Sequence, residues 1–288
     1  AHSGAKTAPG KHGRVAVMAR LPTMFVSHGA PTLAIADGPA HRFLIESGRS
    51  LGKPAAILML SAHFEAPTAT VTTNPAPETI YDFGGFDEAL YRIRYPAPGD
   101  PVLARRVREL LEAGGLPSRE DADRGLDHGA WVPLSLMYPD ASVPVVQLSI
   151  DSRQGPAYHL RLGELLQPLR DEGVLIIGSG GVTHNLSYAL RASIGDPVPD
   201  WVISFREWVA DAVEDDRRDD LVDYRVRAPH AARNHPSEEH FLPLLVAVGA
   251  TQRAEPRGRI HVSETYGVLA MDAYVFGASN LSPPEIAS

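Results

Sequence analysis

The 288-residue chain contains no cysteine, which excludes disulfides, thiolate nucleophiles, cysteine zinc sites and iron–sulfur clusters together. Any metal it holds must be bound through nitrogen and oxygen. Long apolar runs are missing as well: none approaches the roughly 18 residues of a membrane span, so no membrane partner is expected. Residues 1–20 lack the continuous apolar core of a secretory signal, and a cytoplasmic location is expected. A positive block is also absent. The 27 Lys and Arg residues against 35 Asp and Glu give a net charge of −8, and the arginines are scattered, which argues against a nucleic-acid partner.

What is present is the composition of a globular protein, with 44% hydrophobic and 22% charged residues. A chain of this length can bury a sizeable core in one domain. Residues 1–20 are polar, rich in Gly and Ala, and aperiodic, so a flexible extension is expected there, with one domain over 21–280. His2 and His12 fall in that extension and are set aside. Apolar runs of strand length alternate with segments of helical period, the pattern of an α/β fold with a central, mostly parallel mixed sheet flanked by helices. Strands are expected at Thr23 to Ser27, Ala56 to Ala62, Thr68 to Thr73, Val143 to Ile150 and Val174 to Gly178, with a late one near Arg259 to Val262. Helical spacing marks PVLARRVRELLEAGG, HLRLGELLQPLRDEG, WVISFREWVADAVEDD and SEEHFLPLLVAVGA, although Pro168 and Pro243 warn of a kink or a late start. The five-proline stretch from Asn74 to Pro101 reads as a long ordered loop with aromatic content.

Three strands end on a histidine: His28 in PTMFVSHGAP, His63 in AILMLSAHFEA and His184 in GVLIIGSGGVTHNL. In open α/β sheets ligands bind outside the carboxyl ends of the strands, so these side chains share one expected rim. Imidazole is a common metal ligand, and the pattern points to a shared metal or catalytic site there. In HPSEEHFLPLL, Ser237 reads as an N-cap with Glu238 and Glu239 in the first turn and His240 facing inward. His128, in GLDHGAW, opens another helix beside Asp127, a carboxylate that favours charged imidazole if the two touch. His230 and His235 are loop residues close enough in sequence to support His240, while His41, His159 and His261 sit in periodic or strand segments as surface or core residues.

The motifs FVSHGAPT, LSAHFEA, TIYDFGGFDEALYRIRYPAPG, LDHGAWVPLSLMYPDASVPVVQLSID, GSGGVTHNL and PSEEHFLPLL, in that order from Pro22 to Gly267, resemble the DOPA 4,5-dioxygenase-type extradiol ring-opening dioxygenases. These are relatives of the catalytic subunit of protocatechuate 4,5-dioxygenase. The resemblance implies a catalytic domain that opens a catechol with O2 to a semialdehyde. It also implies metal ligands at His28, His63 and His240, an acid/base at His184 that could approach the metal as a fourth ligand, and a second active-site histidine at His128. Glu238 and Glu239 compete on sequence with His240 for the third ligand position. Fe(II) is the implied cofactor for ring cleavage; Zn(II) could fill the same site without redox chemistry. A zinc hydrolase and a non-enzymatic metal-binding protein remain alternatives, and homo-oligomer formation is left open. The loop from Ile80 to Pro98 offers Tyr81 and Phe83 as walls and Arg92 and Arg94 as cations for a substrate carboxylate of the DOPA or hydroxycinnamate kind.

Overall fold

The computed structural model describes residues 19–281. Most of the extension expected at 1–20 lies outside the described residues, as do His2 and His12. Arg20, within that expected extension, pairs with Asp171 at 2.8 Å.

Among the described residues ten strands form in chain order: β1 (Thr23–Ser27), β2 (Ala56–Ser61), β3 (Ala69–Thr72), β4 (Ser118–Asp121), β5 (Val145–Gln147), β6 (Val174–Gly180), β7 (Arg257–His261), β8 (Glu264–Thr265), β9 (Leu269–Ala270) and β10 (Ala273–Phe276). The helices are α1 (Pro39–Leu51), α2 (Pro101–Ala113), α3 (His128–Met137), α4 (Gly155–Leu166), α5 (Leu186–Ala189), α6 (Asp200–Glu214), α7 (Arg218–Val222), α8 (Tyr224–Arg227), α9 (Ala231–Asn234) and α10 (Leu242–Gly249). The main sheet has the order β5-β2-β6-β1-β10-β7. Strands β5, β2, β6 and β1 are parallel, and β10 runs antiparallel to both β1 and β7. The expected mixed, mostly parallel sheet is therefore present.

Because side chains alternate across a strand, each apolar run feeds two cores. Ile57, Met59, Leu175 and Ile177 face one side, against α1 and α3. Ala56, Leu58, Leu60, Val174 and Ile176 face the other, against α2, α4 and α10. Burial on both faces explains why β2 and β6 read as continuous apolar runs rather than alternating ones.

Several boundaries differ from the sequence reading. The stretch Thr68 to Thr73 forms β3, which pairs with β4 as a separate parallel ribbon and does not join the main sheet. The run from Val143 to Ile150 supplies only the short β5; Leu148 and Ile150 make isolated bridges instead. Strand β10 was not anticipated. Helix α4 ends at Leu166, and Pro168 turns the next residues into a tighter 3-10 segment, Gln167–Glu172. Helix α10 starts at Leu242 with Pro243 in its first turn, the one place where a missing N–H costs little. Ser237 is therefore not its N-cap, and the Ser237 hydroxyl donates to Glu239 instead. His240 sits in the turn before the helix.

Candidate active site

The parallel strands β1, β2 and β6 end at one edge, and the next residues converge there. His28 leaves β1 directly, with its backbone N–H donating to the Gly180 carbonyl. His63 follows β2 by two residues, and His184 follows β6. The turn carrying His240 docks on β6, where the Gly181 N–H donates to the His240 carbonyl at 2.9 Å. A Cβ at Gly180 would collide with that same carbonyl oxygen, so the small residues of GSGG admit the His240 backbone against the strand. His128 enters from the N-terminus of α3.

The rings of His28, His63 and His240 form a near-equilateral triangle, with centroids 5.0 Å (His28–His63), 5.3 Å (His28–His240) and 5.0 Å (His63–His240) apart. Imidazoles bound to one ion at ~2.1 Å, at about 90–110° to one another, place their centres roughly 4.5–5.3 Å apart. His28 and His128 are wider apart, at 5.5 Å, and two other pairs are tighter. His63 and His128 lie 4.0 Å apart, and His184 stacks on His240 at 3.4 Å with ring planes 6° from parallel. Because an imidazole lone pair lies in its own ring plane, an ion in the plane of His240 is off the plane of His184. Donor proximity alone divides these residues into two sets, His28 with His63 and His128, and His184 with Glu239 and His240. Proximity does not set where a lone pair points; the ring planes do.

Hydrogen bonds fix the tautomers. The Ser179 hydroxyl donates to the Gly129 carbonyl at 2.6 Å, so it accepts from His28 Nδ1 at 2.9 Å. His28 therefore turns an Nε2 lone pair toward His63 Nε2, 3.1 Å away. His240 Nδ1 donates to Glu239 Oε1 at 3.1 Å, and its Nε2 is buried without a hydrogen-bond partner. A lone pair on His28 Nε2, with the orphaned Nε2 of His240 beside it, fits a bound cation. The donor set is all nitrogen in an uncharged triangle and suits Fe, Zn, Cu or Ni.

Electrostatics agree. Burial, then repulsion from the surrounding histidines, pushes His28 and His240 well below the ordinary imidazole range. Burial, then His128, lowers His63 to about 4. Burial also lowers His184, against an opposing pull from Glu239. Asp82 is raised by burial, but its bonds to His128 prevail and hold it at about 2.

Asp82, rather than Asp127, is the carboxylate that His128 touches: Asp82 Oδ1 accepts from His128 Nδ1 at 2.7 Å and from its backbone N–H at 3.0 Å. Asp127 is turned inward, accepting from Ser61 Oγ at 2.6 Å, Gln147 Nε2 at 3.0 Å and Arg124 Nη2 at 3.0 Å. That buried cluster props His63, whose N–H donates to Ser61 Oγ and whose carbonyl accepts from Arg124. Sequence reading missed Ser61, Ser179 and Asp82, because each acts on a partner set by tertiary contact.

A cavity of about 480 Å³ opens over the histidines. Its lining includes His63, His128, His184 and His240, then Asp82, Phe83 and Phe86 from the long loop, Leu186 and Leu190 around α5, and Tyr266 and Leu269. Phe83 meets His128 edge-on at 5.5 Å. Tyr81 stands behind Phe83 and donates its hydroxyl to the Ile93 carbonyl. Arg92 and Arg94 are not brought to this cavity. Arg92 pairs with Glu88 at 3.1 Å, and Arg94 borders a separate cleft with Glu78 and Tyr81, since the 3-10 turn Glu88–Arg92 carries this part of the loop away. His235 is buried, donating Nε2–H to the Val182 carbonyl, and packs on Phe241 beneath the His240 turn. His230, His41 and His261 stand outside the lining: His41 bonds to the Leu33 carbonyl and His261 stacks on Phe43.

Converging imidazole lone pairs at the strand ends of an α/β sheet, under an aromatic cavity, define a metal-using enzyme that takes a small planar molecule. Residues 22–277 match the family described as the catalytic LigB subunit of aromatic ring-opening dioxygenase. A 4,5-DOPA dioxygenase extradiol from Beta vulgaris is 43% identical over 258 residues, which span 88% of this chain and 96% of that protein. One from Escherichia coli strain K12 is 41% identical over 244 residues, spanning 82% and 88%. The crystal structure of an uncharacterized protein from Escherichia coli K12 matches with a TM-score of 0.76 and 36% identity, over 90% of this chain and all of that one. The chain belongs to the LigB family of aromatic ring-opening dioxygenases, and it is a metal-dependent extradiol ring-cleaving oxidoreductase. Among the described residues no helix is long and apolar enough to cross a membrane.

Proposed function

We propose that His28, His63 and His240 hold Fe(II) and that this chain uses it to open a catechol bearing one side chain, as DOPA does. The observation that carries the reading is the triangle of ring centres at 5.0–5.3 Å with the unpartnered Nε2 of His240 beside it. Bound Fe(II) supplies the redox chemistry with O2 that ring opening requires, which Zn(II) in the same donors does not. His184, lowered by burial, is neutral near pH 7 and accepts a catechol hydroxyl proton, returning it later in the reaction. His128, its Nδ1–H held by Asp82, turns its Nε2 edge to the substrate and orients it. Phe83 flanks the ring.

The test is to load the protein anaerobically with Fe(II), add a catechol and admit O2. A yellow semialdehyde is expected from the Fe(II) form and none from the Zn(II) form; hydrolysis products or no turnover overturn the reading. Replacing His240 by alanine should abolish stoichiometric metal, whereas Glu239→Ala should only weaken it, and the reverse result reassigns the ligand. His184→Ala should keep its metal and lose about 10²- to 10⁴-fold in kcat. Metal loss in that variant makes His184 a ligand.

A further inference from the structure

The triangle of His28, His63 and His240 offers an ion three uncharged donors, so any negative charge has to come from behind the rings. The groups behind them differ. His28 Nδ1 rests on the Ser179 hydroxyl, which is neutral. His63 Nδ1 stands 4.0 Å from Asp82 Oδ2, beyond hydrogen-bond reach. Among the described residues His240 is the one ring of the three whose Nδ1 donates to a carboxylate, Glu239 Oε1 at 3.1 Å. We propose that Glu239, through that hydrogen bond, supplies the charge the triangle lacks and sets the preference of bound iron between Fe(II) and Fe(III). The inference rests on the ligand set proposed above, and it makes Glu239 a positioning residue rather than a ligand.

The local chain fixes the contact. The Glu238 carbonyl accepts from the Phe241 and Leu242 N–H groups at 2.9 and 3.2 Å, which forms the turn into α10. The two glutamates part there. Glu238 Oε2 accepts from the Tyr224 hydroxyl at 2.9 Å, whereas Glu239 Oε1 accepts from the Ser237 hydroxyl at 3.0 Å as well as from His240. The His240 side chain is 4% exposed and that of Glu239 24%, so solvent screens the contact weakly. A carboxylate that accepts from the outer nitrogen of a ligating imidazole makes the inner nitrogen a stronger donor. The added negative charge favours the more highly charged ion, so Fe(III) gains more than Fe(II).

The experiment measures the Fe(III)/Fe(II) midpoint potential of the iron-loaded protein by spectroelectrochemistry, with Zn(II) affinity measured beside it by competition with a chelator. Glu239→Gln keeps an oxygen to accept from His240 Nδ1 and removes the charge. It is expected to retain both metals and to shift the Fe(III)-to-Fe(II) affinity ratio about tenfold toward Fe(II), a rise in potential of roughly 59 mV for one electron. Glu238→Gln removes an equal charge that faces Tyr224, and its potential should match that of the unsubstituted protein. A role confined to packing would weaken both iron states alike, so an unchanged potential in Glu239→Gln overturns the inference and leaves the ligand set standing. An equal rise in Glu238→Gln overturns it too, because net charge then suffices. Loss of both metals in Glu239→Gln makes Glu239 a ligand and sinks the proposed ligand set along with the inference.

Discussion

Ser179 is buried between two glycines, and it decides which nitrogen of His28 faces the cavity. Its hydroxyl has one proton, given to the Gly129 carbonyl, so only a lone pair is left for His28 Nδ1–H. Outer hydrogen bonds of this kind hold a ligand's ring and tautomer. Ser179→Ala should therefore weaken metal binding by about 10- to 100-fold, read by titration against a competing chelator. An unchanged affinity would show that packing alone orients the ring. At this scale the sequence exposed the histidines, because a polar residue closing an apolar run stands out against its background. It did not expose Ser179 or Asp82, whose partners lie 151 and 46 positions away in the chain. It also misdirected Arg92 and Arg94, since where a loop cation points depends on the loop's path.

At the scale of elements, strands β1, β2 and β6 were legible because burial on both faces makes continuous apolar runs. Strand β4, with the sequence SRED, was not: it pairs on one side, and its residues are exposed or half-buried. Helix α10 starts later than its spacing suggested, with Pro243 in its first turn, whereas α2 starts at Pro101 as expected. Helix α4 carries a buried histidine unrelated to the metal site. His159 Nδ1 donates to the Gly155 carbonyl at 2.6 Å, and its Nε2 accepts from the Asp151 N–H at 3.1 Å, tying the start of α4 to the turn before it. Burial lowers its pKa to about 4. The folded form thus binds fewer protons than the unfolded chain between about pH 6.5 and 4, and stability falls as pH drops through that window. His159 should contribute up to roughly 1.4 kcal/mol per pH unit to that slope. Urea unfolding at several pH values should show the slope reduced by about one proton in His159→Gln. An identical slope in the variant would mean that other groups set the acid limb.

For the whole molecule, the order of the sheet makes metal binding a fold-wide event. His28 and His63 extend β1 and β2, which flank β6 on either side, and His240 is carried by the turn docked on β6 itself. On the ligand set proposed above, one ion would tie together the central strands and the turn that leads into α10. The Nε2 of His240 is buried with no hydrogen-bond partner in the protein, a cost the unfolded chain does not bear and one that a bound ion removes. A ligand that binds the folded state alone stabilises it by about 2.7 kcal/mol at a hundredfold excess over Kd. For a domain of this size that corresponds to a rise in Tm of roughly 5–10 °C. Stripping the protein with a chelator and restoring Fe(II) or Zn(II) should lower and then recover Tm by that amount, with either metal, because stability depends on coordination and not on redox chemistry. The recovery should shrink only below about pH 4, where protons begin to compete for the same nitrogens, since burial lowers His63 to about 4. It should vanish in His28→Ala, which removes a proposed ligand while leaving the strand pairing of β1 in place. A chelated protein that melts with the loaded one would show that the triangle is held by packing alone, and that metal and fold are independent.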